Sequence, residues 1–107
     1  MTDLENMGID WERLTRESAR LVILKALAEQ SHGRLDSSML EEILPLFAVR
    51  KPRTWIHEQL EHLAAHGAIS VIRAGTVMTA TLQKTGRRHL DRDEFVSGVK
   101  RPSEPGI

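Results

Sequence analysis

Three cations in four positions, Arg50, Lys51 and Arg53, are the first residues whose type and spacing suggest chemistry. Guanidinium and ammonium groups at the start of a helix are what a protein uses to hold a phosphate backbone. Thr54 and His57, which follow, carry polar tips of the kind that reach base edges. Arg73 and Thr76 flank the Ala74-Gly75 pair, where a tight turn is expected, and a cation at such a tip can touch a groove or a phosphate. A solvated turn of mixed charge explains each of these clusters as well.

Other chemistries are poorly supplied. His62 and His66 stand four apart, a spacing that lets two imidazoles share a metal on one helix face. Zinc needs a third or fourth ligand, and His32, His57 and His89 have no ligand spacing to this pair. No metal or cofactor is expected. There is no cysteine, no Gly-x-Ser-x-Gly and no phosphate-binding glycine loop. His57 and Glu58 are helix neighbours that point apart, so they cannot work as a proton-transfer pair. The expectation is a protein that is not an enzyme.

The elements that must position these residues follow from periodicity and caps. Asp10 is a candidate cap for a helix from Trp11 to about Gln30, with Leu14, Leu21, Leu24 and Ala28 as its seam and Ile23 and Leu27 widening it. Ser31-His32-Gly33 ends it. Arg34-Leu35-Asp36 is a short extended link and a candidate minor strand. Ser38 followed by Glu41 has the capping-box pattern, which predicts a second helix from Ser38 to Phe47, its last turn tightened by Pro45. After the turn at 48–51, Pro52 suits the first position of a third helix, with Ile56, Leu60, Leu63 and Ala64 buried and Gly67 ending it. Thr54, Glu58, Glu61 and Ala65 fall on the opposite face. Residues 67–82 alternate β-branched side chains, Ile69, Val71, Val77 and Thr79, and predict two strands joined at Ala74-Gly75. A last helix is expected within Leu82 to Phe95, starting near Gln83, weakened by Gly86, with Leu90 inward. Gly98, Pro102, Pro105 and Gly106 mark a tail without regular structure.

The predicted organisation is a loose segment over 1–10, a domain over 11–96 and a flexible tail over 97–107. The fold class is mainly α with a small β-hairpin. Three core helices, a two-stranded wing and a C-terminal helix make a winged helix-turn-helix, in which the helix before the hairpin is the one usually set in a nucleic-acid groove.

The chain has 107 residues, enough for one small core. Formal charge is zero, with 15 cations and 15 carboxylates. They are unevenly placed: residues 1–48 hold five Lys/Arg against nine Asp/Glu, and residues 49–107 hold ten against six. The basic half contains the third helix and the hairpin, a distribution that can mark an electrostatic footprint. No basic segment leads into an apolar run at the start, and no apolar run is long enough to span a bilayer. A soluble, cytoplasmic protein is expected.

The order of elements resembles the winged-helix domains of MarR- and ArsR-type bacterial regulators. More narrowly, Arg20-Leu-Val-Ile-Leu-Lys-Ala-Leu-Ala-Glu29, Gln59-Leu-Glu-His-Leu-Ala-Ala-His-Gly67, Thr81-Leu-Gln-Lys-Thr-Gly86 and Val99-Lys-Arg-Pro102 resemble a family of small winged-helix proteins of Mu-like phages and prophages. The likeness covers roughly residues 12–102, and Gly98-Val-Lys-Arg-Pro102 is its most distinctive part. It implies the fold and a phage or prophage origin, and no firm biochemical role.

Two functions fit. In one, the protein binds double-stranded DNA, as a phage or prophage transcriptional regulator, through Arg50, Lys51, Arg53, Thr54 and His57 at the groove and Arg73 and Thr76 at the wing. In the other it is an interaction module in a phage assembly, with Trp55 and the tail cations Lys100 and Arg101 meeting a protein partner. Glu58 and Glu61 on the outward helix face would repel phosphate and favour the second reading; the basic carboxyl half favours the first. Trp55 packed against the second helix is the structural alternative to its role as an anchor. A homodimer is expected through the broad apolar arc of the first helix, helped by Leu4, Met7 and Ile9.

Overall fold

In the computed structural model, residues 8–103 are described. They form an α/β domain of four helices and a three-stranded antiparallel sheet. Leu4, Met7, Pro105 and Gly106 lie outside the described residues. Helix α1 spans Trp11–Ala28, and its cap is Asp10, whose carboxylate accepts the Arg13 N–H at 3.0 Å. Strand β1 is Arg34–Asp36 and α2 is Ser37–Ile43, continued by a 3₁₀ turn over Leu44–Phe47. Pro45 produces this tightening, since it removes a donor from the last turn. Ala48, in the left-handed region at φ 67°, closes it.

The cap of α2 differs from the sequence expectation. Asp36, not Ser38, accepts from the helix, taking the Met39 N–H at 3.0 Å. Ser38 instead donates its hydroxyl to the Asp36 carboxylate at 2.6 Å, which with the Met39 bond holds that carboxyl below its usual pKa. Helix α3 spans Arg53–Ala65, with Pro52 as its cap residue rather than its first turn.

Strands β2, Ile69–Ala74, and β3, Val77–Leu82, pair in register from Ile69↔Leu82 to Ala74↔Val77. The two-residue loop is thus Gly75-Thr76, one position later than predicted. The minor strand forms, and β1 pairs with the other edge of β3, so the sheet order is β1-β3-β2.

The core lies between α1, α2, α3 and the sheet. Leu21, Ile23, Leu24, Leu27, Leu40, Leu44, Ile56, Leu60 and Leu63 are buried in it with Met78 and Ala80 of β3. Ile43 is half-buried and Leu14 is exposed, so each departs from the predicted core. Among the described residues no helix is long and apolar enough to cross a membrane.

Helix α4 is shorter than predicted, Lys84–Leu90. Gly86 is not a weak point in it. It is buried, and a Cβ there would run into the Ala68 carbonyl oxygen and come within 2.7 Å of Leu82 Cδ1. The missing side chain lets α4 lie directly on the junction between α3 and β2. The tail also differs from expectation: Val96, Val99 and Pro102 are buried, and residues 97–103 lie against the domain, irregular but docked.

Gly86→Ala is therefore expected to destabilise the fold by about 1–3 kcal/mol through overpacking, although alanine is the better helix former. Urea denaturation of the two proteins measures this. Equal midpoints would show that α4 can shift away at no cost.

Candidate functional site

The outward side of α3 and the hairpin beside it hold most of the residues singled out from the sequence. Thr54, Glu58, Glu61 and Ala65 are exposed along α3, as the helical period requires. The cations around them are largely engaged. Arg53 makes a fork to Glu41 of α2, with Nη2 to Oε1 at 2.9 Å and Nε to Oε2 at 3.2 Å. Its remaining Nη1 donates to Thr76 at the hairpin loop, at 3.2 Å to Oγ1 and 3.4 Å to the carbonyl. The Glu41 fork raises the already high pKa of this guanidinium. One side chain thereby links α2, α3 and the wing-like loop. Arg73 of β2 pairs with Glu61 of α3 at 3.0 Å.

Arg50 and Lys51 differ: both are exposed, and neither forms an ion pair among the described residues. The Lys51 ammonium lies 5.5 Å from the centre of the Trp55 ring, in cation–π range. Trp55 is half-buried and lines a small groove with Trp11, Thr15 and Arg16 of α1, so α1 supplies its groove neighbours.

His57 is drawn inward. Its Nε2 lies 2.9 Å from Ser37 Oγ, a buried hydroxyl that also accepts the Met78 N–H at 3.0 Å. With that lone pair occupied, the hydroxyl proton is free to point at the imidazole. Burial lowers the His57 pKa, and the nearby Arg73 and Arg53 lower it further. Its Nε2 is thereby engaged within the frame, and the ring is half-buried.

A second polar cluster, on the side of α3 toward α1, was not anticipated. Gln59 is buried; its amide donates to the Trp55 carbonyl at 3.1 Å and its oxygen accepts Arg20 Nε at 2.9 Å. Arg20 also donates Nη1 to the Gly98 carbonyl at 2.7 Å. His62 donates Nε2–H to the Ser97 carbonyl at 2.8 Å. A Cβ on Gly98, whose φ is +80°, would come within 2.6 Å of His62 Nε2 and 2.9 Å of Arg20 Nη1. Burial lowers the His62 pKa against the pull of the Ser97 bond, with Arg20 and His66 adding to the effect. The rings of His62 and His66 stack at 4.2 Å. Both are engaged by backbone carbonyls, since His66 Nδ1–H donates to the His62 carbonyl at 2.8 Å. Among the described residues no group of three or more His, Cys, Asp or Glu is placed to hold a metal.

The tail is held at two more points. Lys100 donates its N–H to the Glu17 carbonyl at 3.1 Å, and its own carbonyl accepts Nε2–H of the buried His89 at 2.9 Å. His89 Nδ1 accepts the Val96 N–H at 3.0 Å, which sets the ring's tautomer. Arg92 donates to the Pro102 carbonyl. The side chains of Lys100 and Arg101 remain exposed, with Arg101 over the Phe95 ring at 5.6 Å.

No family model, no curated protein and no solved structure matches this chain.

Two outcomes follow from these networks. Ser37→Ala leaves the buried Met78 N–H without its acceptor and is expected to cost about 1–3 kcal/mol in urea unfolding. Full retention of stability would show that the hydroxyl is incidental. The histidines fix a pH dependence. Both His57 and His62 have folded pKa values below the unfolded value of about 6.5, so the unfolded chain takes up protons first. Their stabilising contribution is complete above about pH 6.5 and falls as pH drops through the folded values. The unfolding free energy should decline from about pH 7.5 to pH 5, and the His57→Gln/His62→Gln variant should show a flatter profile. An unchanged slope in that variant would contradict the assignment.

Proposed function

We propose that this chain is a winged helix-turn-helix module that acts by docking another protein, without catalysis, through the outward side of α3 and the adjoining hairpin. The winged-helix reading is supported by the element order and by β1 lying on the free edge of β3, which ties the hairpin to the helical core. The observation that carries the choice of partner is charge neutralisation. Arg53 is forked to Glu41, Arg73 is paired with Glu61, and Glu58 is exposed beside them. Such a face repels a phosphate backbone about as much as it attracts one. A protein surface of alternating charge complements it better. Trp55, with Lys51 over its ring, stands at the margin as an aromatic anchor of the kind enriched at interface hot spots. The likeness to Mu-like phage proteins makes a component of a phage assembly the natural partner class.

Binding of double-stranded DNA, in a regulator of phage genes, is the second reading. Arg50 and Lys51 favour it, because they are exposed and without ion pairs among the described residues at the start of α3, where base and phosphate contacts concentrate.

A duplex titration separates the two. At about 50 mM salt, where phosphate contacts are strong, wild type should show little binding to labelled duplex. The Glu58→Lys/Glu61→Lys variant should lose any phage partner that wild type captures, while keeping its fold. Tight, salt-sensitive duplex binding by wild type that disappears in Arg50→Ala/Lys51→Ala would overturn the protein-docking reading in favour of DNA.

A further inference from the structure

On the other side of α2 lies a surface with an apolar floor and a polar rim that includes Ser18, Gln30 and Lys100. A groove of about 560 Å³ lies between α1 and the 3₁₀ turn. Its floor is Leu21, Val22, Ala26 and Ile43. Leu46 and Phe47 border it, with 81% and 57% of their surface exposed, and are contiguous with its floor, and it is contiguity that marks an interaction site. Met39, 45% exposed, extends the same row at helical spacing. No residue of α3 or the hairpin takes part, so the surface is independent of the docking face proposed above.

We infer that this groove is the contact surface of a two-fold homodimer. The patch carries both a hollow and the side chains that would fill one. That is the requirement for an isologous contact, in which one surface meets itself. Phe47 and Leu46 of each copy enter the groove of the other. Three charged residues line it, Lys25, Glu29 and Lys100, and the first two form a self-complementary pair. Lys25 in the last turn of α1 and Glu29, which caps its end, lie one turn apart, both exposed, and neither has an ion pair among the described residues. Lysine preceding glutamate at this spacing is the weaker orientation within a helix, which leaves both free for an external partner. In an antiparallel crossing of two α1 helices, Lys25 faces Glu29 of the second copy and Glu29 faces its Lys25. An unrelated partner would explain the exposed apolar row but not this symmetry of charge.

The arrangement corrects the sequence-based expectation of a dimer in one respect. Leu21 and Leu24 of the α1 seam are consumed by the core, and the proposed association surface is the neighbouring stripe, Val22, Lys25, Ala26 and Glu29, joined to the turn after α2.

Sedimentation equilibrium of the full chain tests it. At about 100 µM and physiological salt, wild type should be predominantly dimeric, as expected for a dissociation constant in the micromolar range. Leu46→Glu/Phe47→Glu alters only exposed side chains and should give a monomer with unchanged circular dichroism. Lys25→Glu places like charges together and should weaken dimerisation about tenfold, and Lys25→Glu/Glu29→Lys should restore it by exchanging the two pairs. A wild type that stays monomeric overturns the inference and leaves the groove to a different protein. Undiminished association of Leu46→Glu/Phe47→Glu, or failure of the charge exchange to restore what Lys25→Glu loses, overturns it as well.

Discussion

A single buried hydroxyl sets how the helices meet the sheet. Ser37 begins α2, is fully buried, and bonds at once to the β3 backbone at Met78 and to the α3 side chain His57. A hydroxyl has one proton and two lone pairs, so three elements can share it only in a narrow range of mutual positions. Arg53 repeats the linkage at the surface, from α3 to Glu41 of α2 and to Thr76 of the loop between β2 and β3. Hairpin and helix are thereby held as one body. A surface held in one shape loses little conformational freedom if a partner binds, as the proposed docking role requires.

The opposite flank of α3 is organised by backbone carbonyls rather than by hydrophobic packing alone. Arg20, His62 and His89 each give a proton to a carbonyl of the segment 97–100, and the carbonyl of Glu17 in α1 receives the Lys100 N–H. Among the described residues no buried side-chain polar atom is left without a partner. The irregular segment thus supplies acceptors where a helix or strand would have spent its carbonyls internally. Glycine at position 98 belongs to the same logic, because any side chain there would displace Arg20 and His62.

Local signals in the sequence reached the helices, the hairpin and the thinning of α2 at Pro45, because periodicity and proline act within a few residues. The minor strand at Arg34–Asp36 was also legible from its extended character, though not which edge of β3 it would join. Asp36 was overlooked as the α2 cap because Ser38 with Glu41 copies the usual signature two positions later. The functional surface was less accessible. Arg50, Lys51, Arg53 and Arg73 read as four equivalent cations, yet Glu41 and Glu61, each twelve positions from its arginine, neutralise two of them. Ser37, Gln59 and His89 gave no sign of burial, because polar residues are normally exposed unless a distant partner exists. For Gly86 the local rule pointed the wrong way: helix propensity counts glycine as a loss, while close contact with Ala68 requires it.

The docked segment at 96–102 also bears on when the domain can become complete. Arg20 and the Gly98 carbonyl are 78 residues apart, and Arg20, which satisfies the Gln59 oxygen, must also meet that carbonyl to close the flank of α3. A ribosome adding about 5–20 residues per second takes roughly 4–16 s to cover that interval. For those seconds α1 is present without its last contacts, and once α3 has been made its side carrying Gln59 and His62 stays open to solvent until residue 98 arrives. Stable tertiary structure is therefore a late event in the life of the nascent chain. A pause in translation anywhere between α1 and residue 98, the hairpin included, would lengthen the exposure of α1 by its full duration.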